Sequence, residues 1–142
     1  MSMIPGIDAA SSALTAERTR LDVIAGNLAN AENTSDANGQ VYHRKMVVFE
    51  SKLNNALGAA TGSNAGSQVE VARVQDDPTP LPKVYMPGSP RADKQGMVTM
   101  PNVNPLDEMV DMMTASRSYQ ANLQAIQTGR SMFEQSLKIA AD

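Results

Sequence analysis

Residues 104–140 read NPLDEMVDMMTASRSYQANLQAIQTGRSMFEQSLKIA, and they carry the signals of one long helix. Asn104 is a good N-cap residue, Pro105 stands at the first helical position, and Asp107 places negative charge where the helix dipole favours it. Two series of mostly apolar residues, spaced three and four apart, form one heptad seam. The series are Met109, Ser116, Leu123, Arg130 and Leu137, and Met112, Tyr119, Ile126, Phe133 and Ala140. Such a helix would be roughly 55 Å long.

The beginning of the chain has a second heptad pattern. Apolar residues recur every seven positions, and further apolar residues fill the intermediate positions, with Glu17 as the exception. The pattern consists of Ile7, Leu14, Leu21 and Leu28 with Met3, Ala10 and Ile24. It ends in an Asn-rich stretch at residues 27–34, and Asn favours helix ends and turns. The sequence therefore predicts a helix over about the first thirty residues.

The middle of the chain has short alternating or β-branched runs separated by turn residues. These runs predict strands at residues 41–49, 69–74, 84–86 and 97–100. Residues 53–68 consist mainly of Ala, Gly, Ser and Asn, a composition that predicts a flexible loop. Prolines at positions 78, 80 and 82 exclude a central strand there.

These patterns predict a mainly α fold with a small β insert. Residues 1–34 and 104–142 would pair as an antiparallel coiled-coil hairpin and form one discontinuous helical domain. Residues 35–103 would form the β-rich insert, which projects from one end. Aromatic residues make up only 4% of the chain, and much of the 42% apolar content is Ala and Met. Because Ala buries little area, we expect a thin core whose packing is completed by a partner.

Composition also excludes several functions. The net charge of −3 gives no support to nucleic-acid binding, which usually involves a basic domain. The absence of cysteine excludes disulfides, thiolate metal sites and cysteine nucleophiles. No apolar run approaches the roughly 18 residues needed to cross a bilayer. The first residues lack a basic and an apolar signal region, so we expect neither a membrane-spanning segment nor a cleaved signal peptide.

Few residues are candidates for chemistry. His43 is the only histidine, its neighbours Arg44 and Lys45 disfavour a metal, and no ligand spacing surrounds it, so a surface strand position is expected. Three acidic residues near the start of the long helix, within residues 107–111, would either complement the helix dipole or bind a hard cation. The cation would need six or more oxygens, so the dipole interpretation is preferred. We expect no catalytic residue, metal or cofactor.

Two other groups keep two interpretations each. Arg117 and Arg130 lie at or near the seam, where long side chains either reach out to solvent or bind a neighbouring subunit. Asn27, Asn30 and Asn33 either cap the first helix and form its terminal turn or make a specified contact.

Two stretches of the chain resemble the signatures of the flagellar rod and hook family. Residues 21–34, LDVIAGNLANAENT, are similar to its N-terminal signature, and residues 108–122, EMVDMMTASRSYQAN, are similar to its C-terminal signature. Residues 42–50 and 84–104 resemble the proximal-rod members in particular, and the short insert also fits a proximal subunit. The resemblance covers nearly the whole chain and is weakest at residues 52–67.

The resemblance implies a structural subunit that catalyses nothing. Members of the family leave the cell through the flagellar type III export apparatus without a cleaved signal, and they assemble in the periplasm. The product is a helical tube, a hetero-polymer that transmits torque and encloses the export channel. The partners implied are proximal FlgB and FlgF types, the distal FlgG type, the rod-base protein FliE and the export apparatus.

The heptad residues are the candidates for subunit contacts. A soluble helical adaptor that binds a partner through its heptad face is the alternative, but it does not explain two matching signatures. A small hydrolase built on His43 lacks a triad partner and a nucleophile motif. The candidate interface residues are Ile7, Leu14, Leu21, Ile24, Leu28, Met109, Met112, Tyr119, Leu123, Ile126, Phe133 and Leu137.

Overall fold

The computed structural model describes residues 5–35, 39–53 and 67–141. The order of elements is α1 (Pro5–Ala29), β1 (Lys45–Leu53), β2 (Ser67–Asp76), β3 (Lys83–Tyr85), β4 (Met97–Thr99) and α2 (Pro105–Ala141). The prediction of a mainly helical chain with short strands between two terminal helices is confirmed. Most of the expected flexible loop, residues 54–66, and the heptad residue Met3 lie outside the described residues.

The start of α2 has the predicted cap. The Asn104 side chain accepts a hydrogen bond from the backbone N–H of Leu106 at 3.1 Å, and its amide donates to the Asp107 carboxylate at 2.8 Å. The side chain therefore satisfies one of the free N–H groups of the first turn, and Pro105 has none to satisfy.

The two helices pack side by side in antiparallel directions. Gly129 of α2 lies opposite Ile7 near the start of α1, whereas the Glu108 carboxylate accepts a 3.1 Å hydrogen bond from Asn27 near the end of α1. A Cβ atom at Gly129 would lie 3.3 Å from Cγ1 of Ile7. Glycine at this position therefore allows the helices to approach closely.

One half of the predicted α2 seam is displaced by one residue in the helix pair. The residues that face α1 include Glu108 and Ala115, both 0% exposed. In contrast Met109, Leu123 and Leu137 of the predicted series are 49%, 41% and 54% exposed. Of the second predicted series, Met112, Tyr119, Ile126 and Phe133 are half-buried. We define the α2 seam as Glu108, Met112, Ala115, Tyr119, Asn122, Ile126, Gly129 and Phe133.

The strands form two separate antiparallel pairs. The β1–β2 hairpin runs from Lys45 opposite Asp76 to Leu53 opposite Ser67, with an irregularity between Val48 and Phe49. The shorter pair joins β3 to β4. The predictions for β2, β3 and β4 are confirmed to within two residues. The prediction for β1, residues 41–49, both began and ended four residues too early. Its start was misplaced because residues 42–44 make other contacts, described below.

The β1–β2 hairpin lies on α1. The backbone N–H of Val69 donates a 3.1 Å hydrogen bond to the hydroxyl of Ser12. An open groove of about 490 Å³ lies between the two, with Ser and Thr side chains of α1 on one side and residues 68–71 on the other. Its charged groups, Lys52 and Glu70, bind each other at 3.0 Å.

The apolar core is small, as the composition predicts. The buried apolar residues of the described part are Ala16, Ile24, Ala31, Val98, Val103 and Ala115. The largest fully buried side chains are instead polar, those of Glu108 and Asn27. A polar contact between the helices therefore takes the place that a large apolar cluster has in most domains.

Candidate assembly surface and the polar junction behind it

Asn27 uses its whole hydrogen-bonding capacity at the end of α1. Its amide donates to the carbonyl of Lys45 at 2.8 Å and to Glu108 at 3.1 Å. Its oxygen accepts from the N–H of Lys45 and from the hydroxyl of Tyr42, both at 2.9 Å. Burial, with the negative charges of Asp76 and Glu108, raises the pKa of Tyr42, so the hydroxyl stays protonated as a donor. The side chain thereby holds the first residue of β1 against the helix pair.

Arg44 completes the contact from the segment before β1. Its Nε donates to the buried Glu108 carboxylate at 2.5 Å, and its Nη2 lies 3.3 Å from Asp111. Its Nη1 lies 3.6 Å from Asp77, which follows β2. Arg20 of α1 lies 3.6 Å from the other oxygen of Asp111. One guanidinium therefore faces carboxylates from α2 and from the β part of the chain.

The surroundings of Arg44 and Asp77 favour the charged forms of these two side chains. Burial opposes the charge on Arg44, but the hydrogen bond with Glu108 and the carboxylates of Glu108, Asp111 and Asp77 outweigh it and raise the pKa of Arg44. The hydroxyl and the backbone N–H of Thr79 both donate to Asp77 and, with the nearby Arg44, lower the pKa of Asp77. Paired and hydrogen-bonded charges of this kind are what partial burial requires.

Asn102 ties the segment before α2 to the same place. Its side-chain oxygen accepts from the backbone N–H of Arg44 at 2.7 Å, and its amide donates to the carbonyl of Thr79 at 3.0 Å. The N–H of Asp77 in turn donates to the carbonyl of Arg44 at 2.7 Å. We call the set Asn27, Tyr42, Arg44, Asn102, Glu108 and Asp111 the polar junction. It connects both helices to the strands.

The polar junction gives part of the acidic group in α2 a role that neither interpretation, the helix dipole or a hard cation, included. Asp107 binds the cap residue, whereas Glu108 and Asp111 bind Arg44. Their oxygens are therefore engaged by a guanidinium and not arranged around a cation. Across the described ranges no cluster of His, Asp and Glu side chains has a geometry that could hold a metal ion.

The remaining candidates for chemistry lie apart from one another. His43 is exposed, as predicted, but it precedes β1 and is not part of a strand. Arg117 is exposed, and Arg130 binds Glu134 of its own helix at 3.0 Å. Asn30 and Asn33 form the turn after α1, with a 3.2 Å bond between their side chains.

The assembly candidates fall into three groups by exposure. Ile24 is 4% exposed and belongs to the core of the single chain. Ile7, Leu14, Leu21 and Leu28 are half-buried, as are the candidates that belong to the α2 seam. The remaining three have substantial exposed area: Met109, Leu123 and Leu137. They lie along one edge of α2, beside the seam, and we call them the α2 edge.

Sequence patterns did not point to the polar junction. Glu108 was interpreted through the helix dipole or a hard cation, and Asn27 as part of a turn or of a specified contact, but neither interpretation named the partners that the two residues have. The heptad position of Glu108 could have indicated its burial. Glu108 lies seven residues before Ala115 and four before Met112, on the buried face of α2. A polar residue in register with a seam is a candidate for a buried contact.

None of the helices in the described part has an apolar stretch that would be long enough to cross a membrane. Comparison with known proteins gives a consistent result along the chain. A family described as flagella basal body rod protein matches residues 7–36. A second, described as flagellar basal body rod FlgEFG protein C-terminal, matches residues 94–139.

Individual relatives match over almost the full length. The flagellar basal-body rod protein FlgC of Escherichia coli O6:H1 is 47% identical over 139 residues, which is 98% of each chain. FlgC of Salmonella typhimurium is 45% identical over the same share of both chains. FlgC of Bacillus subtilis is 38% identical over 150 residues, covering 98% of this chain and 99% of the relative.

Proposed function

This chain belongs to the FlgC family of flagellar basal-body rod proteins and is a structural subunit of the basal-body rod, not an enzyme; we propose that its helix pair is the part that polymerises. The observation that carries the proposal is the exposed α2 edge, which runs beside the seam for most of the length of the helix. Exposed apolar side chains on a chain with a small core suit burial by neighbouring subunits.

The helix pair is proposed to be a short antiparallel coiled coil. Its α2 seam alternates in steps of four and three residues, the spacing that coiled coils use. The small residues Ala115 and Gly129 would let the helices approach at two levels of the seam. In the rod, these pairs would form the helical domain of residues 1–34 and 104–142, with the insert of residues 35–103 outside.

Contacts between subunits are proposed to involve the half-buried α1 residues and the α2 edge. Ile7, Leu14, Leu21 and Leu28 retain some exposed surface in the single chain. Leu123 has the most central position of the α2 edge and is 41% exposed. A neighbouring helix that covered it would remove apolar surface from water at about 25 cal/mol per Å².

The wider setting is proposed from the family. The rod would be a helical hetero-polymer in the periplasm that transmits torque and encloses the export channel. Its other members would be rod proteins of the FlgB, FlgF and FlgG types and the rod-base protein FliE. Subunits would pass through the type III export apparatus without a cleaved signal. The family resemblance supports each of these points.

The test of the polymer contact is Leu123→Asp in a strain that lacks the native copy. A carboxylate buried without a partner at a subunit contact costs several kcal/mol, about 2–7 kcal/mol for polar groups in general. The variant should be exported and stable but should fail to support rods and motility. Because Leu123 is exposed in the single chain, the purified variant should unfold at nearly the same midpoint as the native protein.

Ala72→Asp is the matched control, because Ala72 is exposed on β2 and the substitution introduces the same group. This variant should build normal rods. Normal rods from the Leu123 variant would exclude the α2 edge as the contact. Equal failure of both variants would place essential contacts on the β part of the chain as well.

A further inference from the structure

One carboxylate in the helix pair has no hydrogen-bond partner. Glu17 is the exception to the apolar heptad series of α1, and it is half-buried. Its Oε2 atom is buried, and among the residues that the structure describes it is the one such side-chain atom without a hydrogen-bond partner. Buried polar atoms in folded proteins nearly always have a partner, so this one requires an explanation.

The nearby basic side chains of α1 do not pair with Glu17. Arg20, three residues further on and nearly on the same face, lies 3.6 Å from Asp111 instead. Arg18 is exposed, and side chains one residue apart do not face each other on a helix. The ion pairs of the described residues therefore do not include Glu17, and nothing in this part of the chain compensates the burial of its carboxylate.

Glu17 lies in the surface of α1 that is proposed to meet neighbouring subunits. Leu14 and Leu21, three residues before it and four after it, share its face of the helix and are half-buried. A neighbouring helix that covered these leucines would also remove the remaining water from the Glu17 carboxylate. The neighbour must then supply a hydrogen-bond donor, because an unpaired buried carboxylate would oppose the contact.

The charges around Glu17 favour a neutral donor. Arg18 and Arg20 flank it in α1, and the antiparallel register of the helices places Arg117 of α2 at nearly the same level. Asp111 offsets only part of this charge, because its second oxygen binds the guanidinium of the polar junction. A lysine or arginine from a neighbour would add to this positive charge, whereas a hydroxyl or a side-chain amide would not.

We propose that Glu17 accepts a hydrogen bond from a side-chain hydroxyl or amide of a neighbouring rod subunit. The partner surface is a helix face on which one such donor, from Ser, Thr, Tyr, Asn or Gln, stands among apolar residues. The proposal deepens the function above and rests on it. It gives the contact at Leu14 and Leu21 a polar point that fixes the register of the two helices.

The stability of the purified chain provides the first test. Glu17→Leu removes a carboxylate without a partner and completes the apolar heptad series, so the variant should be more stable than the native chain. Its thermal unfolding midpoint should rise by about 3 °C or more. An unchanged or lower midpoint would overturn the proposal, because it would show that the chain already supplies a partner.

Assembly provides the second test, in a strain that lacks the native copy. Glu17→Leu should lower the number of basal bodies per cell by about tenfold or more, because the donor of the neighbour loses its acceptor. The loss should occur although the purified variant is more stable. Glu17→Gln keeps an acceptor oxygen and should keep the number of basal bodies within about twofold of the native value.

Glu50→Leu is the matched control, because Glu50 is exposed on β1 and the substitution is the same. It should leave the number of basal bodies unchanged, and an equal loss would overturn the proposal because the defect would not depend on Glu17. Native numbers of basal bodies from Glu17→Leu would also overturn it. Failure of Glu17→Gln to the same extent as Glu17→Leu would exclude a neutral donor.

Failure of the proposal and failure of the rod function are distinguishable. Absence of the native chain from purified basal bodies would remove the function itself. Its presence there, together with native numbers of basal bodies from Glu17→Leu, would remove only the hydrogen bond to Glu17.

Discussion

Asn27 illustrates how one side chain determines local structure in this molecule. The side-chain amide of Asn27 forms hydrogen bonds with both the N–H and the C=O of Lys45, as the backbone of a neighbouring strand would. Its two other hydrogen bonds are with Tyr42 and Glu108. Because an amide offers two donors and two acceptor sites, no other uncharged side chain of that length can replace it. The start of β1 is thereby fixed relative to both helices.

We expect Asn27→Ala to lower the free energy of unfolding by about 2–3 kcal/mol, because it leaves buried backbone and carboxylate groups without partners. Urea unfolding followed by circular dichroism measures this. Asn33→Ala is the control, since Asn33 is exposed in the turn after α1, and it should change stability by no more than about 0.5 kcal/mol. Equal effects of the two substitutions would contradict the role given to the polar junction.

Glu108 and Arg44 form the charged half of the same junction. Replacing one partner of a buried pair leaves the other charge uncompensated. Arg44 is partly exposed, with 23% of its side-chain surface accessible, and keeps Asp111 and Asp77 as partners. Glu108→Gln should therefore destabilise the chain by less than Asn27→Ala does. If urea unfolding showed a larger loss of stability for Glu108→Gln than for Asn27→Ala, the charge of Glu108 would matter more than the side-chain amide of Asn27.

Among the elements, the β3–β4 pair depends on a glycine with a positive φ. Gly96 has φ of +76°, and a Cβ there would lie 2.9 Å from Cε2 of Tyr85 and 3.3 Å from Cβ of Pro87. Gly96→Ala should lower stability by about 1–3 kcal/mol through backbone strain and close contact. Gly88→Ala is the control, because nothing lies within 4 Å of its Cβ position. Thermal unfolding of both variants checks the difference, and equal midpoints would contradict it.

Asp93 closes the same pair and makes it sensitive to acid. Its carboxylate accepts from the N–H groups of Met97 at 2.9 Å and Gln95 at 2.8 Å, and these hydrogen bonds lower the pKa of Asp93. Because the pKa of Asp93 is lower in the folded state, its ionised carboxylate stabilises the fold. This stabilisation is complete at pH values above the ordinary pKa of about 3.9, and it is lost as the pH falls through the lowered pKa. The protection factors of the β4 amides, which compare the measured exchange with the intrinsic rate at the same pH, should therefore fall below about pH 4, and Asp93→Asn should reduce that pH dependence.

Sequence patterns predicted the elements well where one periodicity dominates. The long C-terminal helix was predicted to within one residue because its cap, proline and acidic first turn all lie before one apolar series. One of its two predicted series was displaced by one residue, since the buried and half-buried face of α2 includes Glu108, Asn122 and Gly129, which an apolar pattern does not include. The start of β1 was missed because Tyr42 and Arg44, which look like strand residues, bind the helices instead.

On the scale of the whole molecule, stability should be uneven along the helix pair. The polar junction, Ile24 and Ala115 lie near one end, whereas Met132, Leu137 and Ile139 at the other end of α2 are exposed. Amides of α2 near Ala115 should exchange slowly in the purified chain, and those near Leu137 quickly, because local opening follows local packing. Uniform protection along α2 would contradict this, as would faster exchange near Ala115.

The central claim is that the helix pair is the polymerising part of a rod subunit. Cryo-electron microscopy of purified basal bodies that contain this chain tests it most directly. The account predicts that the chain is in the rod, with Leu123 and the rest of the α2 edge buried against helices of neighbouring subunits and the β strands farther from the rod axis. A rod in which Leu123 faces solvent while the strands make the subunit contacts would contradict it.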